Sequence, residues 1–542
     1  MARFALLNAL QRAYQIAQLS HKSTIPTDEL IEILQKKASR RHLLQAGLFA
    51  TGAIAGVSFS QTRRSVAVGA NSKVLIVGAG IAGLTAAYRL YQAEVGVEIV
   101  EARNHLGGRI RSLANAAGTS TTVELGGEFI DSGHQNIQAL IAELGLTLAD
   151  LRAADRGLEP DVWYFGGKKI ALEQIVQDFV PLVPIIEKDA VIAANLKSPA
   201  AIQLDRTSIT QYLADKPISP TLRELIAIAY TVEYGREAAE QSSLNLIYMI
   251  GTDPQEFRIY GDSDERSQIV GGNQQLIARL AQPLANFIET GTELEALRSL
   301  PDGRYRASFR AGTNTFERNY ERVLLTIPFS VLRTVRLAVD LPPAKRQAIN
   351  QLCYGTNSKL IVAYQERIWR DRYNCAGSIF TDLGFQNTWE ATRYTTGKCG
   401  LLTNYSGGRY GFQIGRGTAE AQAQKFHAQI EKVFPGLYRQ RTGEAIRAYW
   451  TGEQYSAGSY ATYLVGQWSQ FYGKEGERVG NLLFAGEHCS LEYQGYMEGG
   501  CETGEAAARE ILKDLKLNTQ AILKAPKMSH HKNIRFTINQ MW

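Results

Sequence analysis

Residues 73–101 carry a pattern of apolar and polar positions that predicts a strand, a helix and a second strand. Val74 to Val77 is a short run of apolar, mostly β-branched residues. Gly78 to Gly83 is a glycine-rich turn, and an Ala/Leu-rich run follows it as far as Leu90. Residues 97–101 form a second run, rich in Val and Ile, that ends in an acid. The lengths of these runs and the intervening glycines predict a βαβ unit.

Helical spacing of apolar residues dominates a later part of the chain. Residues 134–144 and most of residues 171–248 repeat apolar positions at this spacing. Strand-like runs return at residues 359–364 and 400–405. We therefore predict a largely helical segment over residues 145–250 and a mixed segment over residues 341–475.

The glycine-rich turn has the form G-x-G-x-x-G, which binds dinucleotides when it joins a strand to a helix. Gly78 permits the tight turn, Gly80 lets the backbone approach a pyrophosphate beside Ala79, and Gly83 permits close packing of helix on strand. Glu101 is placed to accept a hydrogen bond from the ribose 2′-OH, which argues against a 2′-phosphate and hence against NADP. The motif alone does not distinguish NAD from FAD.

Composition narrows the range of partners. The 59 basic residues are dispersed among 53 acidic ones, the net charge is +6, and no nucleic-acid-binding motif is present, so we expect no nucleic-acid partner. Five cysteines without C-x-x-C pairing argue against a disulfide scaffold or a zinc ribbon, and we predict no metal site.

Two stretches that follow the βαβ unit resemble the flavin-containing amine oxidases, a family that includes monoamine oxidases, polyamine oxidases and L-amino-acid oxidases. They are R-N-H-L-G-G-R over residues 103–109 and E-L-G-G-E over residues 124–128. In that family the G-G-R lies along the FAD pyrophosphate and the L-G-G passes the flavin ring. The resemblance implies FAD contacts for Arg103, Gly108, Arg109, Gly126, Gly127 and Glu128.

The resemblance continues to the other end of the chain. It implies that Leu294 passes backbone groups to the adenine and that residues 322–328, ending in T-I-P, lie beside the cofactor. F-A-G-E, with Gly486 and Glu487, resembles a strand end near the FAD phosphates. G-Y-M-E-G-G resembles a helix start at which Tyr496 and Met497 face the pyrimidine end of the flavin.

The fold class implied is α/β, with a Rossmann-like FAD-binding domain and an inserted, discontinuous α+β substrate domain. We assign residues 71–144, 251–340 and 476–515 to the FAD-binding domain, and residues 145–250 and 341–475 to the substrate-binding domain.

The resemblance also implies the catalytic residues. Tyr460 and Tyr496 match the two aromatic residues that flank the amine in monoamine oxidases, and Lys359 matches the lysine that holds a water near flavin N5. Trp389 is a candidate wall of the pocket. The alternatives are that both tyrosines and Trp389 serve only packing, and that Lys359 is exposed at a strand edge.

Two departures from the family bear on cofactor and substrate. Ser459 stands where monoamine oxidases carry the cysteine that bonds to the flavin, so we expect non-covalent FAD. Phe129 stands where many L-amino-acid oxidases have a carboxylate-binding arginine, and Asp131 resembles the tunnel acid of some polyamine oxidases. Asp131 is alternatively a cap for the helix over residues 134–144. Arg393 remains a candidate for binding a carboxylate.

The function implied is FAD-dependent oxidative deamination of a primary or secondary amine, with hydride passing from the C–N carbon to flavin N5. A cationic amine or polyamine is the expected substrate, and oxygen or a quinone the electron acceptor. An oxidase or dehydrogenase of basic L-amino acids is the alternative. A carotenoid or porphyrinogen oxidoreductase would not require Lys359, Tyr460 and Tyr496, and a flavoprotein without turnover is the alternative outside the enzymes. The sequence does not indicate an oligomeric state.

The two ends of the chain differ from the rest. Residues 39–44, S-R-R-H-L-L, resemble a twin-arginine export motif ahead of an apolar run, so we interpret residues 1–70 as an export signal or N-terminal extension. Such a signal predicts that the protein is located in the periplasm or cell envelope. The alternative is that the N-terminal segment anchors the protein in a membrane. Residues 516–542 form a basic tail, interpreted as a solvated extension, with attachment to a membrane surface as the alternative.

Overall fold

The computed structural model describes residues 73–250 and 263–517, which contain three main sheets. The predicted export signal lies outside the described residues, and so does the predicted basic tail beyond Leu517. The strands of the main sheets are β1 (Val74–Val77), β2 (Val97–Glu101), β3 (Glu159–Phe165), β4 (Lys168–Lys169), β5 (Ile288–Thr290), β6 (Thr292–Ser299), β7 (Tyr305–Ala311), β8 (Asn314–Tyr320), β9 (Arg322–Leu325), β10 (Arg336–Ala338), β11 (Ser358–Tyr364), β12 (Cys375–Thr381), β13 (Asn387–Glu390), β14 (Gly400–Ser406), β15 (Arg441–Tyr449) and β16 (Leu482–Phe484).

The described helices of at least seven residues surround these sheets. They are α1 (Ile81–Gln92), α2 (Gln135–Glu143), α3 (Leu172–Phe179), α4 (Val183–Ala193), α5 (Pro199–Asp205), α6 (Pro220–Tyr234), α7 (Ser243–Ile250), α8 (Gln274–Ala281), α9 (Pro343–Gln351), α10 (Gly408–Ile414), α11 (Ala419–Ile430) and α12 (Met497–Asp514). The helical spacing predicted for residues 171–248 is confirmed. None of the helices in residues 73–250 and 263–517 is both long and apolar enough to span a membrane.

The first sheet is parallel, with strand order β16–β9–β1–β2–β5. β1, at its centre, is buried along its whole length, which explains why its sequence is a continuous apolar run rather than an alternating one. A Cβ added to Gly83 would lie 2.0 Å from the carbonyl oxygen of Gly78, so only glycine lets α1 pack this closely on the turn.

Helix α12 packs against α1 through its own small residues. A Cβ on Gly500 would lie 2.6 Å from Ile81, and one on Gly504 would lie 2.4 Å from the carbonyl oxygen of Ala82. These glycines therefore let the last described helix approach the first one closely, which brings the two ends of the described chain together.

A second sheet has the strand order β8–β7–β6–β10. Its strands come from the part of the sequence between β5 and α9. The third sheet has seven strands in the order β15–β11–β14–β13–β12–β3–β4. All seven residues of β11 are buried, including Lys359. Short strand pairs complete the described structure: residues 112–113 pair with 123–124, 148–150 with 267–269, and 353–354 with 461–462.

Candidate active site

A cavity lies where four parallel strands end. Gly78 follows β1, Glu101 ends β2, Thr326 follows β9 and Gly486 lies beyond β16, and all four line the cavity. The carboxyl edge of a parallel sheet is where α/β proteins bind nucleotides. The dinucleotide site predicted from the sequence is thus placed at this edge.

The N-termini of two long helices open onto the same cavity. Gly80 is the N-cap residue of α1 and Tyr496 that of α12, and no side chain caps either helix. A Cβ on Gly80 would meet nothing within 4 Å, so the backbone there faces open space. Free N–H groups and positive helix ends suit a pyrophosphate at α1 and the electron-rich pyrimidine side of a flavin at α12.

The predicted ribose acid is fixed by the backbone around it. The Oε2 atom of Glu101 accepts a hydrogen bond from the Ala79 N–H at 2.9 Å, and its Oε1 atom accepts one from the Arg103 N–H at 2.9 Å. Glu101, Arg103 and Leu294 all line the cavity, whereas Ala79 holds the acid from behind. The carboxylate has further lone pairs, which leaves it able to accept from a ribose hydroxyl.

Arg109 links distant parts of the cavity wall. Its Nη1 donates to the Ser459 carbonyl oxygen and to Glu487 Oε1, both at 2.8 Å. Glu487 Oε2 in turn accepts from the Gly495 N–H at 2.9 Å. Desolvation is the largest single effect and opposes ionisation of Glu487, but the charges of Arg109 and His488 and the hydrogen bonds from Arg109 and Gly495 together outweigh it and lower the pKa of the carboxyl. Gly108, Gly486 and Met497 also line this wall.

The L-G-G-E stretch supports the wall rather than lining it. A Cβ on Gly126 would lie 1.9 Å from the Arg109 carbonyl oxygen, and the Gly127 N–H donates to that oxygen at 3.0 Å. The Asn273 side chain donates to the carbonyl oxygens of Gly127 and Glu128. Gly126 and Gly127 therefore contact the backbone of Arg109, and none of Gly126, Gly127 and Glu128 lines the cavity itself.

Lys359 is buried, so the alternative of an exposed strand-edge lysine is wrong. Its ammonium donates to the carbonyl oxygens of Glu124 and Gly126, both at 2.9 Å, and to Glu128 Oε2 at 2.6 Å. These contacts use all three ammonium protons, so a water held by Lys359 has to replace one of them. The water-binding role implied by the resemblance remains a prediction.

The two candidate tyrosines both lie close to Gly495, which lines the cavity. Tyr496 lines it, and the Tyr460 ring lies 3.4 Å from a Cβ built on the neighbouring Gly495. The Tyr460 hydroxyl donates to the Glu233 carbonyl oxygen in α6. The Tyr405 hydroxyl lies 3.5 Å from the Tyr460 hydroxyl. The Tyr496 ring packs edge-on against His134 with centroids 5.0 Å apart. Tyr405 was part of a predicted strand only; its side chain carried no distinguishing signal in the sequence.

Aromatic rings continue the site away from the tyrosines. Trp389 packs against Phe129 and Tyr405 with ring centroids 5.5 and 5.3 Å apart, and its Nε1 donates to Glu128 Oε1 at 3.0 Å. The Arg393 guanidinium lies 5.0 Å from the centre of the Phe129 ring. The structure thus brings two of the three substrate-site candidates, Phe129 and Trp389, into contact with each other, and Phe129 also contacts Arg393.

Asp131 makes bonds within the protein that neither interpretation of the sequence anticipated. Its Oδ1 accepts from the Glu265 N–H at 2.8 Å, and its Oδ2 lies 3.3 Å from His134 Nε2. Helix α2 begins at Gln135 after the N-cap residue His134 and has no side-chain cap, so the cap interpretation of Asp131 is wrong. A direct contact of Asp131 with a substrate has to compete with both bonds.

Comparison with known proteins agrees with the geometry. A family model described as flavin containing amine oxidoreductase matches residues 81–512. Flavin-containing amine oxidase B of Sus scrofa is 25% identical over 472 residues, which cover 81% of this chain and 86% of that protein. Flavin-containing amine oxidase A of Bos taurus is 25% identical over 472 residues, covering 83% and 86%.

Solved structures share the fold. Cyclohexylamine oxidase from Brevibacterium oxydans IH-35A aligns with a TM-score of 0.71 at 20% identity, over 82% of this chain and 100% of that chain. Wild-type putrescine oxidase bound to putrescine aligns with a TM-score of 0.69 at 19% identity, over 82% and 99%. The predicted α/β architecture, a Rossmann-like domain with a second domain inserted, is confirmed.

Proposed function

Because this chain belongs to the family of flavin-containing amine oxidoreductases, we propose that it oxidises the C–N bond of a cationic primary or secondary amine, including polyamines. The protein is an oxidoreductase that uses FAD. When bound, the flavin accepts the hydride from the carbon beside the amine nitrogen. Oxygen or a quinone is the proposed final electron acceptor.

One observation carries this proposal: Tyr496 lines the cofactor cavity and Tyr460 lies beside it. Two adjacent aromatic rings remove water from an amine that enters between them. The rings carry no carboxylate that could stabilise the amine as an ammonium ion. Desolvation disfavours the ammonium form, lowers the pKa of the amine and thus favours the neutral form whose carbon can give up a hydride. The hydrogen bond from Tyr460 to the Glu233 carbonyl oxygen fixes the orientation of one ring.

Lys359 and Glu128 form a buried ion pair whose two charges cancel, and Glu128 connects this pair to Trp389. Because both side chains are buried and Glu128 also accepts from Trp389, neither can move far without leaving a charge unpaired. The pair therefore orients the aromatic wall and presents an ammonium proton to any water that displaces a carbonyl contact of Lys359.

The test is anaerobic bleaching of the flavin absorbance by an amine. We expect a diamine such as putrescine, the ligand of the solved putrescine oxidase, to bleach the wild-type flavin. Tyr460→Leu should slow bleaching about ten- to hundredfold, since loss of positioning alone costs on that order. Tyr438→Leu is the matched control, because Tyr438 is 63% exposed. Absence of bleaching by every amine tested would contradict the proposal.

A second candidate function is oxidation of basic L-amino acids, and Arg393 is the observation that favours it. Its guanidinium lies over Phe129, within the aromatic group, where it could pair with an α-carboxylate. Its competing partner is Asp155, with the nearest atoms 3.6 Å apart. If arginine and lysine bleach the flavin faster than diamines, and Arg393→Gln removes only that activity, this candidate replaces the first.

We propose export through the twin-arginine route for the location of the enzyme. The support is the pair Arg40-Arg41 ahead of an apolar run, together with a cofactor that requires a folded chain. Anchoring by the same segment is the alternative.

A further inference from the structure

A second cavity lies on the face of the seven-stranded sheet that α10 and α11 cover. Leu360 of β11 and Asn404 and Ser406 of β14 line it. Leu360 and Asn404 are directly opposite each other in these two strands, so their side chains share one face of the sheet. Lys359 and Tyr405, the next opposed pair, point to the other face, toward the candidate active site. The two strands thus separate the second cavity from the residues proposed to handle the amine.

Asn404 has a side-chain amide that the protein uses only in part. The residue is 4% exposed, and its Oδ1 accepts from the Ser406 hydroxyl at 3.1 Å. Its Nδ2 can donate two hydrogen bonds, but it donates to no residue within 73–250 or 263–517. Because buried polar groups are normally paired and Asn404 lines the cavity, the acceptor for this donor has to come from inside the cavity.

Gln429 of α11 brings a second amide to the cavity wall. A Cβ on Gly384 would lie 2.5 Å from the Gln429 Nε2 atom, and Gly384 has a φ of 93°, in the left-handed region. Glycine at this position therefore leaves room for the Gln429 amide beside the loop. The amide forms no hydrogen bond with the part of the chain that the structure describes.

The charged residues on the cavity wall are both cations. Arg416, just before α11, and Lys425, on α11, are exposed, and neither forms an ion pair with a described carboxylate. The acids of α11 and its C-terminal end have other partners, since Glu420 pairs with Arg441 and Glu431 accepts from two backbone N–H groups. None of the described acids lines the cavity, so its polar wall suits an anion.

Apolar side chains form the rest of the wall. Leu360, Ile414 and Phe426 are buried and line the same cavity as the two amides. Sites for small organic molecules combine an apolar lining with a few placed polar groups. A ligand that matches this wall therefore has a carbon body as well as a negative charge.

We propose that the second cavity binds a small organic anion, whose carboxylate or phosphate group accepts from Asn404 and is attracted by Arg416 and Lys425. Its carbon body packs against Leu360 and Phe426. The proposal does not depend on amine oxidation, because the cavity lies across the sheet from the candidate active site. A charge-assisted hydrogen bond of the kind expected here changes affinity about ten- to hundredfold.

The experiment is isothermal titration calorimetry of the FAD-loaded enzyme with phenyl phosphate and with benzoate. Benzyl alcohol is the uncharged probe, and we expect at least one of the two anions to bind about ten- to hundredfold more tightly than it does. Inorganic phosphate lacks the carbon body and should bind more weakly than phenyl phosphate.

Variants of the wall locate the bound anion. Arg416→Gln combined with Lys425→Gln should weaken binding of the anion about ten- to hundredfold and leave benzyl alcohol unchanged. Asn404→Leu removes the buried donor and should weaken the anion by about tenfold. Lys188→Gln, the same change on an exposed lysine of α4, is the control and should leave the affinity unchanged. If Asn404→Leu does not retain FAD, Gln429→Leu takes its place.

The outcomes separate this site from other places where an anion could bind. Absence of binding by both anions at about 10 mM, weaker than one charge-assisted bond provides, overturns the proposal. An affinity that the wall variants leave unchanged places the anion elsewhere, for example in the candidate active site, and overturns it too. Loss of affinity in the double charge variant alone shows attraction by surface charge and overturns the role of the buried amide. Equal binding of inorganic and phenyl phosphate overturns the organic ligand, and each of these results leaves amine oxidation intact.

Discussion

Replacing Lys359 with methionine should destabilise the protein and slow its chemistry for two separable reasons. The stability effect follows from the Glu128 carboxylate, which loses its 2.6 Å ion pair and keeps only the Trp389 Nε1 donor at 3.0 Å. Removing one partner of a buried pair costs about 3–5 kcal/mol, because the other charge stays buried and unpaired. Adding Glu128→Gln removes that charge, so the double variant should recover most of the loss.

The free energy of unfolding is measured by urea titration at a fixed FAD concentration, since bound cofactor adds to apparent stability. Lys345→Met is the matched control: Lys345 is 1% exposed, but its ammonium donates to the Glu475 carbonyl oxygen and lies over the Phe484 ring. Desolvation lowers the pKa of Lys345 to about 8, which shows how little its charge is favoured there. Among the described residues Lys345 forms no ion pair with a carboxylate, so its replacement should cost less than about 2 kcal/mol.

The chemical effect is measured as the rate of anaerobic flavin reduction and of reoxidation. Lys359→Met should lower one of these rates without loss of FAD, and the double variant should not restore it. A single variant as stable as wild type, or a double variant no more stable than the single one, would refute the argument from the ion pair. Full rates in a flavin-loaded Lys359→Met would refute a catalytic role.

Three further predictions concern the cofactor, the location and the pH dependence. FAD should be released into the supernatant by acid precipitation, because Ser459 offers no thiol; colour retained in the washed pellet would contradict this. Replacing Arg40 and Arg41 with lysine should keep the protein in the cytoplasm, and unchanged fractionation would favour an anchor or another route. Burial raises the pKa of Glu475 to about 7, above its value in the unfolded chain, so the stability it contributes is present at low pH and is lost as pH rises through about 7. Glu475→Gln should therefore raise Tm more at pH 8.5 than at pH 5.5; equal shifts would show that Glu475 does not titrate in this range.

The dinucleotide part of the site could be predicted because its physics is local. Gly78, Gly83 and Glu101 act within one βαβ unit, where turn geometry, helix packing and strand length are all set by residues close in the sequence. For Tyr496 the prediction came from the resemblance to the family, which implied a helix start there, and Tyr496 is the N-cap residue of α12.

The contacts of Asp131 and Glu265 could not be predicted because they form across the fold. Asp131 precedes a helix, so its neighbours suggested a cap, yet its partner is the backbone of a residue 134 positions away. Glu265 carried no signal in the local sequence that distinguished it from a surface acid. Its burial arises from tertiary packing that the local pattern does not contain.

The cofactor cavity takes its walls from residues 77–110, 292–335 and 455–500. A ribosome therefore completes this cavity only once it has made residues up to Gly500, and the flavin can be enclosed only by a chain that contains all three segments. Any truncation before α12 removes one wall and the helix end that opens onto the cavity. The signal proposed for export precedes all three segments, so it is synthesised before the site that it would deliver. A route that threads an unfolded chain through a membrane would leave the flavin behind, and only a carrier of folded protein could move the loaded enzyme.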